Sequence, residues 1–329
     1  MINMKEIGGY MELEQLSGEE FYPNLLKLNL GRTALIYAIE TLRIKKLWLP
    51  LLLCDSVTQV CKKCGIELAW YSILEDFTPV LPAKKLDEGE YLYLVNYYGQ
   101  LSPEYLLNLK KVYENIFLDN THAFFQEPLE AIPTLYSCRK FFGIPDGAYL
   151  YLGNTLNVDS VVLPIDISAH RMKHILGRYE SPASAYYSTM LNTAHSFYDE
   201  PVKGMSRLTQ NLLRGIDYGQ VYRSRNANYT ILEQSLQTQN HLHLRSQKGP
   251  FVYPFYCPDG IQLRRKLADQ KIFVPTYWNN VLKELPRESL EYNYAANILP
   301  LPCDQRYNTE DMRRIISVLN QLMKGKNDI

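Results

Sequence analysis

A carboxylate, an imidazole, a hydroxyl and an amine follow one another along this chain, at Asp119, His122, Ser137 and Lys140. Lys140 stands in YSCRKFFGIPDG (Tyr136–Gly147), flanked by Phe141 and Phe142. Apolar surroundings disfavour the ammonium form, which tunes a lysine towards a neutral, nucleophilic amine. Such an amine adds to carbonyl groups and forms Schiff bases. A lysine whose stem lies on the two rings while its head reaches water gives the same local pattern. Asp119 closes the apolar part of IFLDNTHAFF (Ile116–Phe125), where a buried carboxylate without a partner would be costly. Capping the turn towards Asn120 is its plain structural role. His122 reads as a site residue or as a hydrogen-bonded core histidine.

Positioning these groups needs strands and helices in alternation. KLWLP (Lys46–Pro50), ELAWY (Glu67–Tyr71), YLYLVN (Tyr91–Asn96) and IFLD (Ile116–Asp119) read as strands. DSVTQVCKKCG (Asp55–Gly65) reads as a helix with a glycine C-cap, and Pro103–Val112 as another. That alternation implies a mainly parallel sheet with ligands at the strands' carboxyl ends, where Asp119, Tyr97 and Leu51–Asp55 would gather. In LNLGRTALIYAIETL (Leu28–Leu42), Leu35, Ala38, Ile39 and Leu42 fall at helical spacing, so a helix begins near Arg32. Gly31, Arg32 and Thr33 then sit at its N-terminus, where free N–H groups and the helix dipole favour an anion.

Residues 1–25 read as an N-terminal arm, 26–214 as a large domain, and 215–329 as a smaller α+β domain. AYLYL (Ala148–Leu152) and SVVLPI (Ser160–Ile165) extend the strand pattern of the large domain. Residues 168–190 and 205–240 read as helices. FVYPFY (Phe251–Tyr256), KIFVP (Lys271–Pro275) and ILPLP (Ile298–Pro302) read as strands, with helices at Ile261–Gln270 and Thr309–Met323.

At 329 residues the chain is long enough for a sizeable core and a second domain. Lys and Arg total 35, as do Asp and Glu, a balance that argues against a nucleic-acid binder. The absence of an apolar run of roughly eighteen residues argues against a membrane span. MINMKEIGGY has no secretory h-region, which leads to the expectation of a cytoplasmic protein. Cys61 and Cys64 have CxxC spacing, but no second pair completes a zinc site, so no metal is expected.

The order Asp119, His122, Ser137, Lys140 and Gly147 resembles that of fold-type-I enzymes dependent on pyridoxal phosphate (PLP). It is most similar to the DegT-type aminotransferases that act on nucleotide-linked keto sugars. GRTAL (Gly31–Leu35) resembles the string that holds the cofactor phosphate there, and RSRNANY, YPFY and KIFVPTYW resemble segments of the small domain. The resemblance implies a three-layer α/β fold and assigns the Schiff-base lysine to Lys140. It assigns the carboxylate at the pyridine nitrogen to Asp119, contact with the cofactor ring or its hydroxyl to His122, and the phosphate cradle to Gly31, Arg32, Thr33 and Ser137. It further implies an amino donor such as glutamate, a nucleotide-sugar acceptor and a homodimer whose partner lends residues, for which Asn154, Asn157 and Arg178 are candidates. Family members often stack an aromatic residue from the loop after the first long strand on the cofactor. LPLLLCDS (Leu49–Ser56) has none, which leaves Cys54, His122 or Tyr97 to cover the ring. Two other readings share this pattern: a dehydratase, whose relatives often lack the lysine, and a cofactor-binding regulatory or assembly protein.

Overall fold

Strands β1 (Leu26–Leu28), β2 (Lys46–Pro50) and β3 (Glu67–Tyr71) enclose helices α1 (Gly31–Thr41) and α2 (Asp55–Lys63) in chain order. β4 (Glu90–Val95), α3 (Pro103–Val112), β5 (Ile116–Asp119), β6 (Thr134–Ser137) and β7 (Ala148–Tyr151) follow. The structure is a computed structural model and describes residues 7–83, 85–153 and 162–324. One seven-stranded sheet runs in the order β1-β7-β6-β5-β4-β2-β3. Neighbours from β3 to β6 pair in parallel, β7 lies antiparallel on β6, and β1 lies antiparallel on β7. This is the mainly parallel α/β architecture that the sequence predicts.

Strand alternation decides which side chains meet. Successive residues of a strand point to opposite faces, so Tyr93, Phe117, Asp119, Leu135 and Ser137 share one face of the sheet. Leu47, Leu49, Tyr93, Phe117 and Leu135 pack there against Ala34, Leu35, Ala38 and Ile39 of α1 and Val60 and Cys61 of α2. Leu92, Leu94, Ile116, Leu118 and Tyr136 face the other way, into a cluster rich in aromatic rings that includes Tyr22, Phe124, Phe141 and Phe142. Phe124 lies 5.0 Å from Phe142 and 5.5 Å from Phe141, ring to ring. Such aromatic pairs each add about 0.5–1.5 kcal/mol beyond their burial.

Beyond the sheet come α4 (Lys173–Glu180), α5 (Tyr187–Ser196), α6 (Arg207–Arg214) and α7 (Tyr218–Leu236). The chain ends with β8 (Tyr253–Tyr256), α8 (Gly260–Asp269), α9 (Val281–Glu284), α10 (Leu290–Asn297), β9 (Ile298–Leu301) and α11 (Thr309–Lys324). β8 and β9 form an antiparallel pair, and Leu299 and Leu301 pack with Leu263 of α8, Ile315 of α11 and Leu232 of α7. α7 touches both layers, since its Val221 belongs to the aromatic cluster beneath the large sheet.

Several expectations are corrected. KIFVP (Lys271–Pro275) keeps a strand's alternation, with Ile272 and Val274 buried and Phe273 exposed, yet it pairs with no strand. Lys271 takes a left-handed φ of 60°, and β8 and β9 already bond directly to one another. The described part of SVVLPI makes only an isolated bridge between Ile165 and Gly204. The helix expected over 168–190 is broken at Ser181–Pro182, because proline cannot continue α4. The helix expected over 205–240 is broken between Gly215, which follows α6, and Asp217, whose carboxylate accepts from Gln220 N and starts α7. β1, which no reading of the sequence anticipated, closes the sheet beside β7. Among the described residues no helix is long and apolar enough to cross a membrane.

Candidate active site

The carboxyl ends of β4, β5 and β6 and the first turn of α1 surround a cavity of about 300 Å³. Lys140, Asp119, His122, Ser137, Gly31 and Arg32 all line it, with Cys54, Arg139, Phe197 and Trp278. Thr33 does not. Its hydroxyl faces inward, donating to Asn29 Oδ1 at 2.5 Å or Leu30 O at 2.9 Å and accepting from Leu30 N at 3.2 Å. Only its backbone N–H belongs to the open first turn of α1. That turn faces β6 closely, because a Cβ added at Gly31 would stand 4.0 Å from Ser137 Cβ.

Asp119 ends β5, in register with Val95 of β4 and Leu135 of β6. Tyr93, two residues before Val95 and therefore on the same face, donates its hydroxyl to Asp119 Oδ2 at 2.7 Å. Thr121 N donates to Asp119 Oδ1 at 2.8 Å, which also turns the chain towards His122. The imidazole of His122 stacks on Phe251 at 4.5 Å and lies near Tyr98, Tyr277 and Trp278. Burial first, and then the Lys140 ammonium, hold its pKa well below the usual histidine range. Its Nδ1 is buried without a hydrogen-bond partner.

Lys140 ends a single 3-10 turn (Cys138–Lys140) that follows β6. Phe141 and Phe142 turn away from it into the aromatic cluster. The rings beside its amine come from elsewhere, Tyr277 at 5.5 Å and Phe251 at 6.0 Å from Nζ. Lys140 is open to the cavity, yet protein atoms surround that cavity. This enclosure is what lowers its pKa; Arg139 and Arg32 push in the same direction, while Cys54 and Asp119 oppose them. Arg225, itself buried, donates to Phe141 O at 3.2 Å and to Pro250 O and Phe251 O, so α7 fixes both the lysine turn and the wall behind His122.

Of the three residues considered for covering a cofactor ring, Cys54 and His122 line the cavity. Tyr97 is buried beneath it, its hydroxyl donating to Leu52 O. Arg178 lies exposed on α4 and outside this cavity, while Asn154 and Asn157 fall outside the described residues. Tyr93, Arg139, Phe197, Tyr277 and Trp278 were not anticipated. Period-two alternation from Asp119, the second cation of the Arg139–Lys140 pair and the string KIFVPTYW, which ends in Tyr277 and Trp278, were usable signals; Phe197 had none. A second cavity, of about 680 Å³, adjoins the first and shares Cys54, His122, Lys140 and Trp278 with it.

These features fit PLP: an enclosed amine, an anion-favouring helix start, a carboxylate facing the same space and an orphaned buried imidazole nitrogen. Among the described residues no group of His, Cys, Asp and Glu is arranged to hold a metal.

No protein-family model and no curated protein matches this sequence. Solved structures do match in shape. DesV of S. venezuelae, in complex with a ketimine intermediate, is 16% identical with a TM-score of 0.64, over 94% of this chain and 90% of that one. PseC of Helicobacter pylori, an aminotransferase involved in the biosynthesis of pseudoaminic acid, is 14% identical with a TM-score of 0.63, over 91% and 86%. The PMP form of a candidate sugar aminotransferase from Streptococcus pneumoniae is 13% identical with a TM-score of 0.64, over 92% and 87%. A seven-stranded, mainly parallel sheet whose carboxyl edge gathers a lysine, an aspartate and a helix start, in a chain that matches these structures over nine-tenths of its length, is the fold of the DegT-type aminotransferases.

Proposed function

We propose that this protein is a PLP-dependent aminotransferase that moves an amino group from an amino acid, glutamate being the expected donor, to a keto sugar carried on a nucleotide. The observation that carries this reading is the convergence of Lys140, Asp119 and His122 on one cavity beside the N-terminus of α1. PLP, when bound, supplies an electron sink for the carbon that loses its proton. Lys140 is the point of covalent attachment and then the base that carries the proton, and its lowered pKa raises the share of neutral amine near pH 7. Asp119 provides the negative charge for the pyridine nitrogen, with Tyr93 and Thr121 orienting its two oxygens. Each carboxylate oxygen accepts more than one hydrogen bond, so both retain capacity for a ligand. His122, neutral and stacked on Phe251, offers a flat wall and one unused ring nitrogen. Gly31, Arg32, the backbone of Thr33, and Ser137 form the anion end.

The adjoining cavity supports a large co-substrate. Trp278 and Tyr277 offer ring faces for a sugar, Asn279 offers an amide, and Lys62 and Lys283 offer positive charge, while Asn280 Nδ2 donates to Leu53 O at 3.0 Å. It reaches the reacting lysine directly, since Lys140 lines both spaces. A dehydratase lacking the lysine is disfavoured by the same fact. Exposed apolar side chains at Ile167, Leu176 and Tyr179 support a homodimer, and six cysteines without a disulfide among the described residues support a reducing, cytoplasmic setting. The proposed division into 1–25, 26–214 and 215–329 would run through the α6–α7 break.

The decisive experiment is borohydride reduction of the PLP-loaded protein with peptide mapping, paired with visible spectra before and after glutamate. The expected result is a label on the Lys140 peptide alone and a donor-dependent spectral change. A label elsewhere overturns the assignment of Lys140. A label on Lys140 without donor response favours a cofactor-binding protein without turnover.

A further inference from the structure

We propose that a further cavity, which meets the lysine cavity at His122, is a second ligand site that takes a small keto dicarboxylate and is coupled to the lysine cavity through the imidazole. It measures about 320 Å³, and of the residues lining it only His122 also lines either cavity described above. The turn that leads into α3 forms one wall, with Tyr98, Gln100 and Ser102. The segment before β8 forms the other, with Arg245, Gln247 and Lys248. Both walls are fixed. Gln100, itself buried, accepts from Arg245 N at 2.7 Å and donates to Arg245 O at 3.4 Å. Gly249 N donates to Asn226 Oδ1 of α7 at 2.9 Å. Glycine is required at the two closest approaches: a Cβ at Gly99 would collide with Gln247 Oε1, and one at Gly249 with the Phe125 ring. Both glycines also hold a positive φ, 74° and 59°.

The lining chooses the ligand. Two cations, Arg245 and Lys248, line this cavity and no Asp or Glu does. Among the described residues no carboxylate pairs with either of them. A guanidinium and an ammonium on one wall suit two carboxylates, and Ser246 between them adds a hydroxyl. An amino acid fits less well than a keto acid, because no anionic group is there to receive an ammonium. The volume lies at the small end of ligand pockets, about 300–1,000 Å³, which favours a short acid over a nucleotide. His122 connects this site to the lysine. Its ring lies 5.4 Å from that of Tyr98, which belongs to one wall, and 4.5 Å from that of Phe251, which directly follows Pro250 of the other. A ligand that draws the two walls together therefore bears on the imidazole through both rings. On the PLP reading, the keto acid left by a dicarboxylic amino donor is a product sensed here; only that origin of the ligand rests on the reading.

Calorimetric titration of the PLP-loaded, borohydride-reduced protein with 2-oxoglutarate tests the site, because the reduced cofactor fills the lysine cavity. Wild type is expected to bind 2-oxoglutarate and to bind glutamate and inorganic phosphate more weakly. Arg245→Ala with Lys248→Ala is expected to weaken 2-oxoglutarate binding about tenfold or more. Both side chains are exposed, so the double variant keeps the fold. Unchanged affinity in that variant, or a wild type that binds no 2-oxoglutarate or binds glutamate or phosphate equally well, overturns the site as proposed. The coupling is read from the absorbance of the reduced cofactor, which 2-oxoglutarate should shift in wild type but not in the double variant at the same concentration. Binding without that shift overturns the connection through His122. If no label forms on Lys140, the PLP reading fails by itself. Titration of the cofactor-free protein then decides the site, by the same dependence on Arg245 and Lys248.

Discussion

Lys140 is separated from the rings that flank it in sequence and faced by others: Phe141 and Phe142 point into the core, while Tyr277 and Phe251 lie beside its amine. Its reactivity is therefore set by enclosure in a cavity rather than by sequence neighbours. Lys140→Ala is expected to abolish covalent attachment of PLP while retaining reversible binding, read by loss of the visible absorbance after gel filtration. Asp119→Asn keeps the bond from Thr121 N and removes the charge. It should slow the donor half-reaction on the order of a hundredfold or more, measured by stopped-flow absorbance, with PLP still bound. His122 gives a prediction about pH. Burial keeps it neutral far below the range in which an unfolded chain titrates, near 6.5. Its folded pKa is thus the lower one, and the unfolded state binds more protons as pH falls below about 6.5, so stability declines there. His122→Gln should make the fall of the cofactor-free protein's Tm between pH 7 and 5 shallower than in wild type. Equal slopes would remove the argument for a buried neutral imidazole.

At the scale of elements, the start of α1 and the end of β6 are one structural unit. Thr33 ties the first turn back to Asn29 and Leu30, and Asn29 O accepts from Gly147 N at 2.5 Å, beside the lysine turn. Cys138 N in turn donates to Gly147 O, so the two edges of the anion end share a backbone connection. Thr33→Val keeps the shape and removes the hydroxyl. The expected loss is about 1–3 kcal/mol in urea unfolding, because buried partners are left unpaired, together with weaker PLP binding. Weaker PLP binding without the stability loss would show that Thr33 acts on the ligand directly, against its inward geometry here.

At the scale of the whole molecule, exposed apolar side chains lie along the N-terminal arm, at Ile7, Tyr10 and Met11, and in the segment around α4 and α5, where Ile167 is 78% and Tyr179 94% exposed. That segment also carries Phe197 and Tyr198, which hold the two cavity arginines. Self-association through this face would restrain the anion end from outside. Ile167→Glu with Tyr179→Glu is expected to convert a dimer to a monomer in sedimentation velocity and to weaken PLP binding. A dimer unaffected by both changes would move the interface elsewhere.

The sequence by itself determined what depends on local order: the alternation of strands and helices, the helix beginning near Arg32, and the sequential arrangement of Asp119, His122, Ser137 and Lys140. Strand periodicity and helix spacing are properties of neighbouring residues, so one chain displays them without a partner. The tertiary structure decided what depends on distant segments meeting. It brought Tyr93 to Asp119, Trp278 and Tyr277 to Lys140, and Phe197 to Arg139, and it turned Thr33 inward and Tyr97 downward. It also left KIFVP without a strand partner, although its alternation was right, because pairing is a property of two segments and alternation a property of one. Charge balance inside the cavity was equally invisible in a chain of zero net charge, since which carboxylates pair with which arginines is settled only by packing.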